Sequence, residues 1–83
     1  MATKRVQDAF DAIKSMVTPH NCQFFNSRNT VGDEMETIYE KDGITIDICH
    51  YCGYFEVFGM TYKEFIEFKE LFGIKPNMSG IYI

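Results

Sequence analysis

The sequence predicts an α+β fold: an antiparallel β-meander of about four strands, with an N-terminal and a C-terminal helix packed on one face. Three observations predict it. Apolar residues recur at helical spacing between Thr3 and Val17. From Glu34 to Phe58 they alternate with polar residues across two turn sequences, Asp42-Gly43 and His50–Gly53. Thr61-Tyr62-Lys63-Glu64 then opens a second helical stretch with the signature of a capping box.

Each element has its own reason. In the first helix, Val6, Ala9, Phe10, Ile13, Met16 and Val17 fall at steps of three and four, with Lys4, Asp8, Asp11 and Lys14 on the other side. Pro19 ends it. His20 to Arg28 reads as a strand, and its adjacent Phe24 and Phe25 must point to opposite faces. Asn29 to Asp33 reads as a loop. Asp42-Gly43 is the sequence of a two-residue type I′ turn. An uninterrupted ladder from that turn places Tyr39 opposite Ile46 and Thr37 opposite Ile48. Met35, Thr37, Tyr39, Ile44, Ile46 and Ile48 then share the core face. Glu34, Glu36, Ile38, Glu40, Thr45, Asp47 and Cys49 share the other. A turn at His50–Gly53 places Ile48 opposite Phe55, which adds Phe55 and Val57 to the core and Glu56, Tyr54 and Phe58 to the outer face. The second helix runs to Phe72, with Gly73 as its left-handed stop. Gly80–Ile83 reads as a last short edge strand or a cover for the core.

The totals bound the function. Eighty-three residues make a single domain, 1–83, with a modest core. A chain that is 46% hydrophobic and 16% aromatic is too apolar for intrinsic disorder. Eight basic residues against twelve acidic ones, a net charge of −4, argue against direct binding to nucleic acid or to an anionic membrane. The N-terminus lacks the apolar core of a secretory signal. No run approaches the about 20 apolar residues of a membrane span. Three cysteines are an odd number and few for a disulfide scaffold. The expected setting is a reducing cytoplasm with free thiols.

Charge is lopsided. Between Val31 and Met60 lie the acids Asp33, Glu34, Glu36, Glu40, Asp42, Asp47 and Glu56, against the single base Lys41. On the ladder above, Glu34, Glu36, Glu40, Asp47 and Glu56 surround Ile38, Phe58 and Tyr54 on one sheet face. Apolar residues ringed by charge have the layout of a protein interface, and an acidic rim steers toward a basic partner. In size, charge and compact α/β layout the whole chain resembles the small acidic inhibitors of phages and mobile elements, of the anti-CRISPR class. That resemblance implies a non-enzymatic viral protein, acting in the host cytoplasm on a basic nucleic-acid enzyme such as a defence nuclease. The partner-binding residues are then Glu34, Glu36, Ile38, Glu40, Asp47, Glu56 and Phe58.

Cys49-His-Tyr-Cys52-Gly53 carries a second reading. It resembles the knuckle of zinc ribbons and rubredoxin-like sites, where two thiolates converge on one metal and the glycine turns amides toward sulfur. The second knuckle of those sites is missing. His20 and Cys22 complete a Cys3His set with Cys49 and Cys52, and a structural zinc would staple a small domain. A third reading is a homo-oligomer, such as a homodimer, formed through exposed aromatics or an edge strand. No phosphate loop, metalloprotease motif or nucleophile elbow is present, so the chain is read as no enzyme.

Overall fold

The structure, a computed structural model, describes residues 3–26 and 35–73. Its elements in order are α1 (Lys4–Ile13), a 3-10 turn (Lys14–Met16), β1 (Gln23–Phe25), β2 (Met35–Lys41), β3 (Ile44–Cys49), β4 (Tyr54–Phe58) and α2 (Tyr62–Leu71). The α+β class stands, with both helices on one face of a four-stranded sheet. Among the described residues, no helix is long and apolar enough to cross a membrane. The expected edge strand at Gly80–Ile83 and the expected loop at Asn29–Asp33 lie outside the described residues.

The sheet corrects one expectation. Its order is β1-β4-β3-β2, and β1 pairs with β4 in parallel, so the sheet is mixed and not an antiparallel meander of four strands. Only β2, β3 and β4 form the meander. Residues 26–34 separate β1 from β2, too many for a tight hairpin to be forced. Ring packing supports the alternative pairing. Opposite Phe55, Phe24 stacks on that ring with centroids 4.9 Å apart, and it meets the Phe68 and Phe72 rings of the α2 side at 5.6 and 5.1 Å. A fully buried side chain of this size contributes about 1.5–3 kcal/mol.

Local chemistry explains the boundaries. Thr3 caps α1 by accepting the Val6 amide. The helix tightens into the 3-10 turn after Ile13, shorter than the apolar periodicity suggests. Before β1, the Thr18 hydroxyl accepts the amides of His20 and Asn21, and the Thr18 amide donates to the Asn21 carbonyl. This small turn takes the backbone groups that a strand from His20 would have placed in the sheet. The capping box at Thr61 and Glu64 is formed in both directions. Gly73, at φ +81°, ends α2.

Val6, Ala9 and Ile13 of α1, with Phe65 and Phe68 of α2, close over Phe24, Ile44, Ile46, Ile48, Phe55 and Val57. Polar clips fix the helices around this core. The Asp8 carboxylate lies 3.3 Å from Lys41 Nζ and ties α1 to β2. That hydrogen bond lowers the pKa of Asp8 and raises that of Lys41. Arg5 donates to the Gly59 carbonyl and lies 3.5 Å from Glu64, joining α1 to the start of α2. Lys69 is buried on α2 with its ammonium 4.6 Å from the Phe65 ring centre, and burial lowers its pKa.

Gly59 is the tightest backbone contact. It sits at φ +98°, and a Cβ there would overlap the Gly43 carbonyl oxygen of the β2–β3 turn. Neither backbone segment can yield without breaking a turn. Gly59→Ala is therefore expected to destabilise the fold by about 3 kcal/mol or more. A urea melt checks this, and a midpoint within error of wild type would contradict the packing described.

Candidate functional site

The outer face of the sheet is set by register. From the Asp42-Gly43 turn, with φ +54° and +81°, β2 and β3 pair as the type I′ geometry requires: Lys41 with Ile44, Glu40 with Thr45, Tyr39 with Ile46. The ladder then slips. Thr37 pairs with Asp47, Glu36 with Ile48 and Met35 with Cys49, leaving Ile38 as an extra residue in a β-bulge. A slip of one position reverses the faces beyond it.

Several residues of β2 change face as a result. Thr37 faces outward, and its hydroxyl donates to the Asp47 carboxylate at 2.7 Å. Ile38 leaves the outer face and packs with Tyr39 against the core. Glu36 falls on the helix-bearing side at the sheet edge, where its carboxylate lies 2.8 Å from His50 Nε2. Glu36 and Ile38 are thus corrected out of the proposed acidic face, because the bulge inverts their direction. Glu34 lies outside the described residues.

Four of the expected residues share the outer face: Glu40, Asp47, Glu56 and Phe58. Their exposure is graded. Glu56 stands opposite Asp47 and beside Phe25, yet it is only 4% exposed, so it is no part of a solvated rim. Cys49, in the next row, is fully buried. Glu40 is exposed, Thr45 and Asp47 are half-buried, and Phe58 is 51% exposed. The open part of the face is the corner built by the cross-strand row Glu40–Thr45–Phe58, with Thr37 and Asp47 behind it. Asp42 sits in the adjoining turn and is exposed. Among the described residues, the outward positions of the four strands include no lysine or arginine.

The far end of the sheet gathers every cysteine and histidine in the chain. Gln23 pairs with Tyr54, which sets Cys22 and the turn before it against the His50–Gly53 turn. A Cβ on Gly53, at φ +83°, would lie 2.6 Å from the His20 carbonyl oxygen and 3.5 Å from His20 Nε2. The predicted proximity of the His20–Cys22 stretch to the cysteine turn is real. The predicted Cys3His ligand set is not assembled. Among the described residues, no three His, Cys, Asp or Glu side chains stand together as a metal site. Cys22 Sγ instead donates to the Pro19 carbonyl at 3.5 Å, and Cys49 Sγ accepts the Cys52 amide at 3.1 Å. Short local hydrogen bonds thus direct Cys22 and Cys49 to backbone partners.

Reading the residues alone missed the Glu36–His50 pair, which exists only because the ladder slips. The adjacent apolar pair Ile38-Tyr39, in a strand that otherwise alternates, was the available signal. Neither a family model, nor a curated protein, nor a solved structure matches the chain.

The bulge can be tested by removing it. Deleting Ile38 leaves Thr37 opposite Asp47 and Tyr39 opposite Ile46, since the extra residue has no partner of its own. The deletion should cost about 1–3 kcal/mol from lost apolar contact, while the protein folds and keeps the Glu36–His50 contact by nuclear Overhauser effects. An uninterrupted ladder would instead throw Met35–Thr37 onto the wrong faces, and the shortened chain would lose that contact or fail to fold.

Proposed function

We propose that the protein is a non-enzymatic binding protein that docks the open corner of its outer sheet face on a basic surface of a nucleic-acid enzyme and inhibits it. The observation that carries this reading is Phe58. It is a large aromatic residue, half-exposed, in a row with Glu40 and Thr45 and close to Asp47, on a face whose described outward positions include no base. An aromatic anchor with a polar rim is how protein interfaces concentrate binding energy. A one-signed rim selects a partner of the opposite sign and speeds encounter. Surfaces that bind nucleic acid are the commonest basic surfaces of suitable size. An acidic face would compete there for the space of phosphates.

The contact set is narrower than the sequence suggests. Glu40, Asp47 and Phe58 remain in it, and Asp42 and Thr45 join them. Glu56 shares the face but is buried there and leaves the set. Glu36 and Ile38 do not belong to it.

The test uses a heparin-retained protein fraction from cells, the immobilised wild type, and the double variant Glu40→Lys/Phe58→Ser. Wild type should hold a protein that added duplex DNA releases. The double variant should retain at least about tenfold less, since losing a buried aromatic anchor costs about 2 kcal/mol or more, with an unchanged circular dichroism spectrum. Equal retention by both proteins, or retention that nucleic acid does not disturb, would remove the support for a mimic of charge. A wild-type protein that retains only itself would favour the homo-oligomer instead.

A further inference from the structure

We infer that Cys49 and Cys52 form a thiol–disulfide exchange site that takes low-molecular-weight disulfides and closes into an intramolecular bond across the β3–β4 turn. This site is at the far end of the sheet from the Phe58 corner and does not depend on the docking reading.

None of the three cysteines is in a disulfide. Cys49 ends β3, and Cys52 lies in the turn that follows it. The Gly53 amide donates to the Cys49 carbonyl at 2.8 Å, closing the turn over residues 49–53. Tight turns bring Cα atoms three positions apart to within about 7 Å, and a disulfide spans about 4.4–6.8 Å between Cα atoms. The Cys52 amide donates to Cys49 Sγ at 3.1 Å, so that sulfur already lies over the Cys52 backbone. Rotation of the exposed Cys52 side chain is the movement left to make. The turn is also held from outside, because the His20 carbonyl packs against Gly53 too closely for any Cβ there. A turn preorganised in this way loses little entropy on closure.

The two sulfurs differ in access, and this gives the exchange a direction. Cys49 is fully buried and Cys52 is exposed, so an incoming disulfide RSSR meets Cys52 first. The Cys52 thiol gives up its proton and its sulfur attacks one sulfur of RSSR. A Cys52–SR bond forms, the S–S bond of RSSR breaks, and RS⁻ leaves to be protonated as RSH. Cys49 then loses its proton, attacks Cys52 Sγ and expels the second RS⁻, which is protonated in turn. Two protein thiols are oxidised to one disulfide, and RSSR is reduced to two RSH. Cys22 takes no part, since its sulfur is held on the Pro19 carbonyl. The bond would lock the turn that carries His50 and Tyr51, the latter 91% exposed.

The experiment incubates the full chain with excess oxidised glutathione, followed by alkylation, intact mass and peptide mapping. Wild type is expected to end without glutathione, with Cys49 linked to Cys52 and Cys22 alkylated. Cys49→Ser should stop with one glutathione on Cys52, and Cys22→Ser should close as wild type does. Closure of the mixed disulfide should be about tenfold or more faster in the folded chain than in urea, the gain expected from a raised effective concentration. Stable glutathione on wild-type Cys52, a disulfide that includes Cys22, no reaction at Cys52, or equal rates with and without urea would each overturn the proposal. If Cys49→Ser does not fold, the wild-type map and the urea comparison still decide.

Discussion

A single unpaired residue, Ile38, decides what this small sheet can present. The type I′ turn at Asp42-Gly43 starts β2 and β3 in strict register, and the bulge then shifts everything beyond Tyr39 by one place. Without that shift Glu36 would join Asp47 on the outer face, and Thr37 would be driven into the core opposite Ile48. With it, Thr37 bonds to Asp47, Glu36 reaches His50, and the adjacent Ile38 and Tyr39 both pack on the core. The slip pairs Thr37 with Asp47, while Glu36, turned to the helix-bearing side, stays exposed at the sheet edge beside His50. It also divides the acids between two surfaces, leaving one open corner around Phe58.

A second constraint acts through the aromatic rings. Phe24 lies between the Phe55 ring of β4 and the Phe68 and Phe72 rings of the α2 side. That packing draws β1 to the β4 edge in parallel, and the parallel pairing then delivers Cys22 and His20 to the β3–β4 turn. The thiol-rich end of the molecule is thus a consequence of where one phenylalanine is buried. Backbone contact at Gly53 and Gly59 seals the two ends of β4 against neighbouring turns.

Elements written in local chemistry were legible in the sequence. Thr61 and Glu64 announce α2, Asp42-Gly43 announces the hairpin, and the His50–Gly53 turn yields the correct pairing of Ile48 with Phe55. Long-range choices were not. Alternation through Glu36, Ile38 and Glu40 masks the slip: only the adjacent apolar pair Ile38-Tyr39 signals it, and no glycine or proline marks it. Strand order depends on ring packing among residues far apart in the chain, which spacing does not encode. Burial of Glu56, 4% exposed on a face read as solvated, belongs to the same class. The candidate site was therefore half visible: Glu40, Asp47 and Phe58 keep their face, Glu36 and Ile38 lose it, and the cysteines come close without assembling the expected metal ligands.

The central claim is that the corner around Phe58 is the surface that meets a basic partner. The most direct measurement replaces Phe58, and in a second protein Tyr51, with a photoreactive benzoylphenylalanine and irradiates each in cells. The account predicts an adduct to a basic nucleic-acid-binding protein from position 58 and none from position 51, although Tyr51 is the more exposed of the two. An adduct from position 51 alone, or equal adducts from both, would contradict it.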